Sequence, residues 1–379
     1  MTASHPTYAT PAEYSAAVTA FLDSDPRIAE FRGFRPEDIE DGFAHLNKLQ
    51  RILFDEGWSR LGWPEQAGGL GGDPRFRGCL FEALWNADIL IPEAFTTLEI
   101  LVPVMLVYAP HIAEELLPRV LAGDELWAQA FSEPDAGSDL ASLRTKMEPD
   151  GDGWRVTGQK VWSSYGHLAQ RSVLMARSGG PGHRGISMVL IDLDQPGVEV
   201  RPTTAQDGDN HFSEIFLDNA YVPNSRVVGE LGQGWAIAMY MLQWERGAWG
   251  WLQQGRFHNR LELALRTAPS RSADPGALGR AYALTSALRL HTRETVNRLA
   301  REEALGPEVS IDKLVLIDAE TAVWDAIRDH FGAQFDLDPS LAWLEREFMF
   351  SRAAPIYGGS QEIQRTLVAQ RVLAMPRES

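Results

Sequence analysis

The chain has 379 residues, 44% of them hydrophobic, with 52 aspartates and glutamates against 35 lysines and arginines and a single cysteine. The formal net charge of −17 repels nucleic-acid phosphates and anionic lipid, so a polyanionic partner would need a local basic run, and the sequence has none. Cys79 by itself excludes an internal disulfide and a thiolate metal cluster built from this chain, and its ordinary role is that of a small buried apolar residue.

The first six residues, Met-Thr-Ala-Ser-His-Pro, lack the basic and apolar regions of a secretion signal, and no apolar run is long enough to cross a bilayer. The expectation is a cytoplasmic protein of two or three domains. Residues 1–125 carry apolar positions at helical spacing, as in Phe43 to Glu56 and Phe76 to Leu90, and read as a helical domain. Residues 126–232 change to short alternating segments such as Trp154-Arg155-Val156-Thr157 and Ser187-Met188-Val189-Leu190-Ile191, separated by Gly-Asp-Gly and Gly-Gly-Pro-Gly turns, and read as a β domain. Residues 233–379 return to helical spacing, with breaks near Ala268 to Pro275 and Asp336 to Pro339, and read as a helical bundle. The whole is an α+β multidomain chain without internal repeats.

A β module between two helical modules offers clefts at its boundaries, where ligand sites concentrate. Two segments stand there. Ala130-Phe131-Ser132-Glu133-Pro134-Asp135-Ala136-Gly137-Ser138-Asp139 combines small residues, which permit close backbone approach, with hydroxyl donors. Gly158-Gln159-Lys160-Val161-Trp162-Ser163-Ser164 pairs a large aromatic plane with hydroxyls. Each alone reads more simply as a turn or a core tryptophan.

These two segments, together with Gln-Gly-Trp-Ala-Ile-Ala-Met at 233–239 and Ile-Tyr-Gly-Gly-Ser-Gln-Glu-Ile-Gln-Arg at 356–365, resemble the acyl-CoA dehydrogenase family in sequence and in order. The likeness extends to Gly62-Trp63-Pro64-Glu65 with Gly68-Gly69, and to Leu217-Asp218-Asn219 with Val222-Pro223. The Gly-Gly-Leu-Gly-Gly run at 68–72 follows no strand, so it reads as a plain loop and not a dinucleotide cradle. The resemblance implies a helical N-terminal domain, a central β-barrel and a C-terminal four-helix bundle, with FAD between barrel and bundle. It implies flavin contacts from Phe131, Ser132, Trp162 and Ser164, a pantetheine contact from Ser138, and contacts to the adenosine side of FAD from Ser360, Gln361 and Glu362. Ser132 stands where the family usually has threonine, and Ser163-Ser164-Tyr165 replaces the usual Ile-Thr-Asn; the hydroxyls remain.

The implied reaction converts an acyl-CoA to a trans-2-enoyl-CoA and passes electrons to an electron-transfer flavoprotein. An α proton beside a thioester is weakly acidic, so the base must be a carboxylate in a dry pocket, and the developing enolate oxygen needs donors. The commonest members of the family place a glutamate directly after the Ile-Tyr pair, where this chain has Gly358. A branch that includes isovaleryl-CoA dehydrogenase-like enzymes takes it from the first helix of the last domain, and Glu245, before Arg246, matches that position. Glu245 is thus the expected base, Arg246 a substrate-site residue, and the backbone of Gly358 and Gly359 the expected neighbour of the thioester carbonyl. The ordinary alternative for Glu245 is a solvent-facing helix residue.

Two family segments that reach FAD across a dimer are missing. The Arg-x-x-Phe-Gly segment has no match in Thr267 to Arg280, which reads Ala-Pro-Ser-Arg-Ser-Ala-Asp-Pro-Gly. The Gln-x-x-Gly-Gly-x-Gly segment is replaced by Arg328-Asp329-His330-Phe331-Gly332-Ala333-Gln334. A doubly charged diphosphate needs donors and close backbone approach, so a homodimer of this chain is expected to bind FAD weakly unless a different partner chain, as in a heterotetramer, restores them. Three assignments stay open on sequence alone: an enzyme, as homo-oligomer or heterotetramer; a flavin oxidase of the same fold; and a non-catalytic subunit that completes a partner's flavin site. No metal is expected, since His-Glu-x-x-His is absent and the nine histidines are scattered. The acyl group is not readable either: Trp85, Phe95 and Met105 cannot be oriented toward or away from a pocket.

Overall fold

A computed structural model describes residues 7–180, 182–267, 269–270 and 273–376, with the Ala248 side chain excepted. Residues 1–6, Pro181 of the Gly-Gly-Pro-Gly turn, and Ala268, Arg271 and Ser272 of the expected break lie outside the described residues. The first helices are α1 (Pro11–Ser24), α2 (Ile39–Asp55), α3 (Arg75–Asn86), α4 (Glu93–Tyr108) and α5 (Pro110–Ala122). Eight strands follow: β1 (Trp127–Ala130), β2 (Lys146–Asp150), β3 (Gly153–Ser164), β4 (Arg171–Arg177), β5 (Ile186–Asp192), β6 (Val198–Thr203), β7 (Phe212–Pro223) and β8 (Val227–Val228). The chain closes with α6 (Gly234–Leu265), α7 (Pro275–Ala300), α8 (Val309–Phe331), α9 (Ala333–Leu337), α10 (Ala342–Ser351) and α11 (Gln361–Leu367). A helical N-terminal region, a central sheet and C-terminal helices make up the expected fold class.

Local chemistry sets many of the boundaries. Thr10 caps α1 by accepting from the Glu13 amide, and Pro11 supplies the first helical position. Asp274 and Pro275 start α7 in the same way. The helix expected over Phe76 to Leu90 stops at Asn86: Asp88 turns left-handed at φ 56° and the Ile89 amide doubles back to the Leu84 carbonyl. No described helix is long and apolar enough to cross a membrane.

The chain folds into two compact units. One gathers the described residues up to 35, residues 72–91 and those from 243 onward; the other holds residues 36–71 and 92–242. In the first, Phe257, Leu261, Leu288, Leu316, Val323, Trp324, Ile327 and Phe335 form one apolar core between α6, α7 and α8. In the second, the strands are ordered β6-β7-β3-β2-β4-β5-β8, with β1 parallel to β4. Val156, Leu174, Val189, Ile215 and Val222 meet in the core of that unit. The long antiparallel pair β3 and β7 loses register between Lys160 and Ser163, a bulge of the kind that re-aims side chains beside sites. Residues 68–72 form the expected loop, and Gly69 packs on Trp63: a Cβ at Gly69 would lie 2.0 Å from the Trp63 carbonyl oxygen, which already accepts from the Gly71 amide at 2.8 Å.

Candidate active site

Three elements of the first unit converge on one corner. Glu245 and Arg246 sit on α6, Lys313 and Glu320 on α8, and Tyr357, Gly358 and Gly359 on the connection between α10 and α11. That connection is held by local bonds, Ile356 amide to Ala353 carbonyl at 2.8 Å and Gln361 amide to Pro355 carbonyl at 2.9 Å. Gly358 and Gly359 are left-handed, at φ 64° and 89°, and the buried Gln364 amide donates to both of their carbonyls at 3.1 and 3.2 Å. The peptide planes around Gly358 are therefore fixed from behind, as a backbone donor to a ligand oxygen requires.

A side chain at 358 would begin 3.3 Å from Oε1 of Glu245. The carboxylate from α6 thus reaches the position from which a residue at 358 would emerge, and glycine leaves it the room. Beside it, a Cβ at Gly359 would lie 3.8 Å from Nη2 of Arg246. Burial pulls the Arg246 guanidinium below its ordinary range against the attraction of Glu245, and its Nε is buried with no hydrogen-bond partner. A desolvated guanidinium with a spare donor suits a polar ligand group.

Under this corner lies a buried charge network. Lys313 Nζ stands 3.8 Å over the Tyr357 ring, and Tyr357 donates its hydroxyl proton to Glu320 at 2.9 Å while accepting from the Trp249 indole at 3.1 Å. Arg256 links Glu320 to Glu347, each at 3.5 Å, and Glu347 pairs with Arg260 at 2.7 Å. Burial pushes Lys313 down to about 8, against the pull of Glu320 and Glu245, and burial raises Glu320 against Arg256 and Lys313.

Ser360 caps α11, its hydroxyl accepting from the Ile363 amide at 3.4 Å. Glu362 is exposed in the first turn, where its own amide and the Ser360 hydroxyl hold its carboxyl below the usual range. Gln361 lies between them, so these three form one helix start, continuous with the glycine pair.

The other expected site residues belong to the second unit. Trp162 lies in the β-bulge at φ 60°, a left-handed conformation that costs a tryptophan roughly 1–2 kcal/mol, and is 64% exposed, edge-on to Phe212 at 5.6 Å. A strained, exposed aromatic plane beside the exposed Ser164 is the arrangement a flat ring needs. Phe131 is buried, and the Ser132 carbonyl accepts from the Val161 amide at 2.9 Å, which joins the two motif segments. Ser138 is exposed in the loop that follows. Buried Lys160 locks the turn by donating to the Phe131 carbonyl at 3.2 Å and to Glu133 at 2.8 Å. Burial pulls Lys160 down to about 8 despite the Glu133 carboxylate.

The two segments without the expected FAD donors are folded onto each other within the first unit. The Ser270 amide donates to the His330 carbonyl at 2.7 Å, Ser270 Oγ to the Asp329 carbonyl at 3.2 Å, and the Asp274 amide to the Asp329 carboxylate at 2.7 Å. Arg328 pairs with Asp336 at 3.4 Å. The donors named here are spent on carboxylates and carbonyls of the same chain.

Sequence reasoning missed Lys313, Glu320 and Lys160. The signal for the first two was present, because Val309, Lys313, Leu316, Glu320 and Val323 follow one helical stripe, so both charges fall at core positions. It also missed one cluster of metal-ligand type: Asp207, Asp209 and His211 bring ligand atoms within 4.8 Å of one another before β7. The Asp207 carboxylate there is already taken by His211 and the Asp209 amide.

The family model described as the acyl-CoA dehydrogenase middle domain matches residues 128–220, and that described as the acyl-CoA dehydrogenase C-terminal domain matches residues 232–373. Over 383 residues the chain is 36% identical to acyl-CoA dehydrogenase IpdE1 of Mycobacterium tuberculosis, covering 97% of this chain and 98% of that protein. A solved structure named Tcur3481-Tcur3483 steroid ACAD superposes with a TM-score of 0.82 at 26% identity, covering 98% of this chain and 99% of that one. The ChsE4-ChsE5 complex from Mycobacterium tuberculosis shares the fold, with a TM-score of 0.79 at 24% identity over 100% of both chains.

Proposed function

This chain belongs to the acyl-CoA dehydrogenase family of FAD-binding oxidoreductases, and on that premise we propose that Glu245 is the base that removes the α proton of its acyl-CoA substrate. One observation carries the proposal: Oε1 of Glu245 lies 3.3 Å from where a side chain at 358 would start, so the carboxylate missing from the C-terminal motif is supplied from α6. The Cα–H bond breaks toward Glu245, which becomes a carboxylic acid, and the Cβ hydrogen departs with its electron pair as the trans-2 double bond forms. FAD, when bound, supplies the acceptor for that hydride. Gly358 and Gly359, pinned by Gln364, orient the thioester carbonyl, and Arg246 lines the same corner.

The residues fit the flavin ring and not its diphosphate. Trp162 and Ser164 present an aromatic plane and a hydroxyl from the bulged edge of β3, and Phe131 and Ser132 are joined to that strand. The segments at 267–280 and 328–334, by contrast, lack the family's arginine and its glycine run, and their described residues are engaged with each other through Ser270, Asp274 and Asp329. We therefore infer that a second, different chain completes the FAD site, with electron-transfer flavoprotein as the electron acceptor; the similarity to the Tcur3481-Tcur3483 steroid ACAD supports this reading. That relative also makes steroid-derived acyl-CoAs the first substrates to try.

Glu245→Gln keeps size and removes basicity, so the flavin should stay bound while its bleaching by acyl-CoA slows roughly a hundred- to ten-thousandfold. Unchanged bleaching would remove Glu245 from the mechanism. Visible absorption tests the partner: the chain purified alone should lose flavin on desalting and keep it when co-expressed with a homologous chain that retains both diphosphate segments. A stoichiometric flavin band in the lone chain would show that a homo-oligomer suffices.

A further inference from the structure

We propose that Lys313 is a positioning residue whose ammonium, seated between the Tyr357 ring and the Gly358 backbone, holds the Glu245 carboxylate as an anion aimed at the space over Gly358. The inference rests on Glu245 being the base. Its geometry is independent of that role. Lys313 Nζ is buried without a hydrogen-bond partner, 3.8 Å from the Tyr357 ring centroid and 3.8 Å from the point where a Cβ at 358 would stand. Glu245 Oε1 lies 3.3 Å from the same point. A cation and a carboxylate thus approach one glycine from two helices, in a region where the dielectric is low and their attraction strong.

The chemistry requires such a cation. Drying a carboxylate favours its protonated form, and a base that is already protonated at working pH abstracts nothing. An ammonium behind it offsets that cost until substrate arrives. The groups facing the pair are few. On α8, Glu320 competes for Lys313 but is itself held by Arg256, with Arg352 at longer range and the Tyr357 hydroxyl at 2.9 Å. On α6, Arg246 attracts the same carboxylate, yet it flanks Gly359, while Lys313 stands at Gly358. Burial has drawn Lys313 down to about 8, so the cation is present at neutral pH. Lys313 does not touch substrate in this assignment; it acts through Glu245.

The test reads the carboxylate directly and needs no substrate. Difference infrared spectra of the FAD-loaded protein, with its partner chain where flavin retention requires one, isolate the Glu245 band as the part lost in Glu245→Gln. In Lys313→Met the midpoint of that band should move up by roughly one pH unit or more, and Lys313→Arg should restore it. An unchanged midpoint in Lys313→Met overturns the proposal. Should Lys313→Met fail to fold, the same coupling is read from the other side, because Glu245→Gln should lower the pH at which Lys313 loses its proton, followed by the pH dependence of unfolding. No shift there overturns it as well. Failure of the base assignment looks different: Glu245→Gln would then bleach normally while the infrared coupling stood.

Discussion

The corner built by Glu245, Arg246, Lys313 and Gly358 and the closure between residues 267–274 and 328–336 belong to the same compact unit, yet their polar groups are disposed in opposite ways. In the corner, Arg246 Nε and Lys313 Nζ are buried without hydrogen-bond partners, and the backbone is left-handed at two glycines. In the closure, the amides of Ser270 and Asp274 and the hydroxyl of Ser270 are satisfied within the chain, and His330 Nδ1 is the exception, buried without a partner. Buried donors left unmatched are costly and are retained where a ligand is to be met. Donors matched at home serve stability. The two regions thus set donors held ready in the corner against donors spent on structure in the closure.

The largest effect that sharpens the contrast is the corner's share of the pH dependence of stability, which adds to that of Lys160, drawn by burial to about 8 as well. Lys313 falls from 10.5 to about 8 on folding. Between those values the unfolded chain holds the proton and the folded chain does not, so stability rises with pH across that window and the gain is lost as pH falls through 8. The cost of keeping Lys313 charged in the fold is then at most about 3 kcal/mol, fully present below 8. Urea unfolding of Lys313→Met should show a shallower rise, with the share of Lys160 remaining. A slope equal to wild type would mean that the lysine is solvated and that the corner is no different from the closure.

A smaller effect comes from filling the glycine. In Gly358→Ala the methyl must adopt φ 64° and begin 3.3 Å from Glu245 Oε1. We expect a loss of about 1–2 kcal/mol from the backbone alone. Flavin bleaching should slow too, because the carboxylate is displaced. Full activity with the stability loss would show that Glu245 does not depend on the space Gly358 leaves.

Much of this was legible in sequence because it lives in contiguous motifs. Gly358 in place of a glutamate is visible in one segment, and Glu245 before Arg246 in another; the missing arginine, phenylalanine and glycines of 267–280 and 328–334 are visible as plain departures. What was not legible depends on which face of an element turns inward. Lys313 and Glu320 show as core positions only once the apolar stripe of α8 is drawn through them, and Lys160 only once its strand is packed. The left-handed turn of Trp162 arises from a register shift between β3 and β7, strands that lie far apart in sequence, so no local pattern encodes it. The mutual closure of the two departed segments is non-local in the same way.

The smallest expected effect concerns that closure. Asp329→Ala removes the acceptor of the Asp274 amide at 2.7 Å, an exposed bond worth about 0.5–1.5 kcal/mol, and with it one carboxylate of the closure. If the diphosphate is refused because the donors and glycines are gone, the variant purified alone should be slightly less stable and just as colourless. If it is refused because Asp329 repels phosphate and ties the loop shut, the variant should retain flavin through desalting. The first result keeps the two regions distinct by composition, since no amount of opening restores a guanidinium or a glycine run; the second would make the closure a latent site held off by one carboxylate. The departures at both segments at once favour the first, because a single blocking charge would not require the loss of the family's arginine from one segment and of its glycine run from the other.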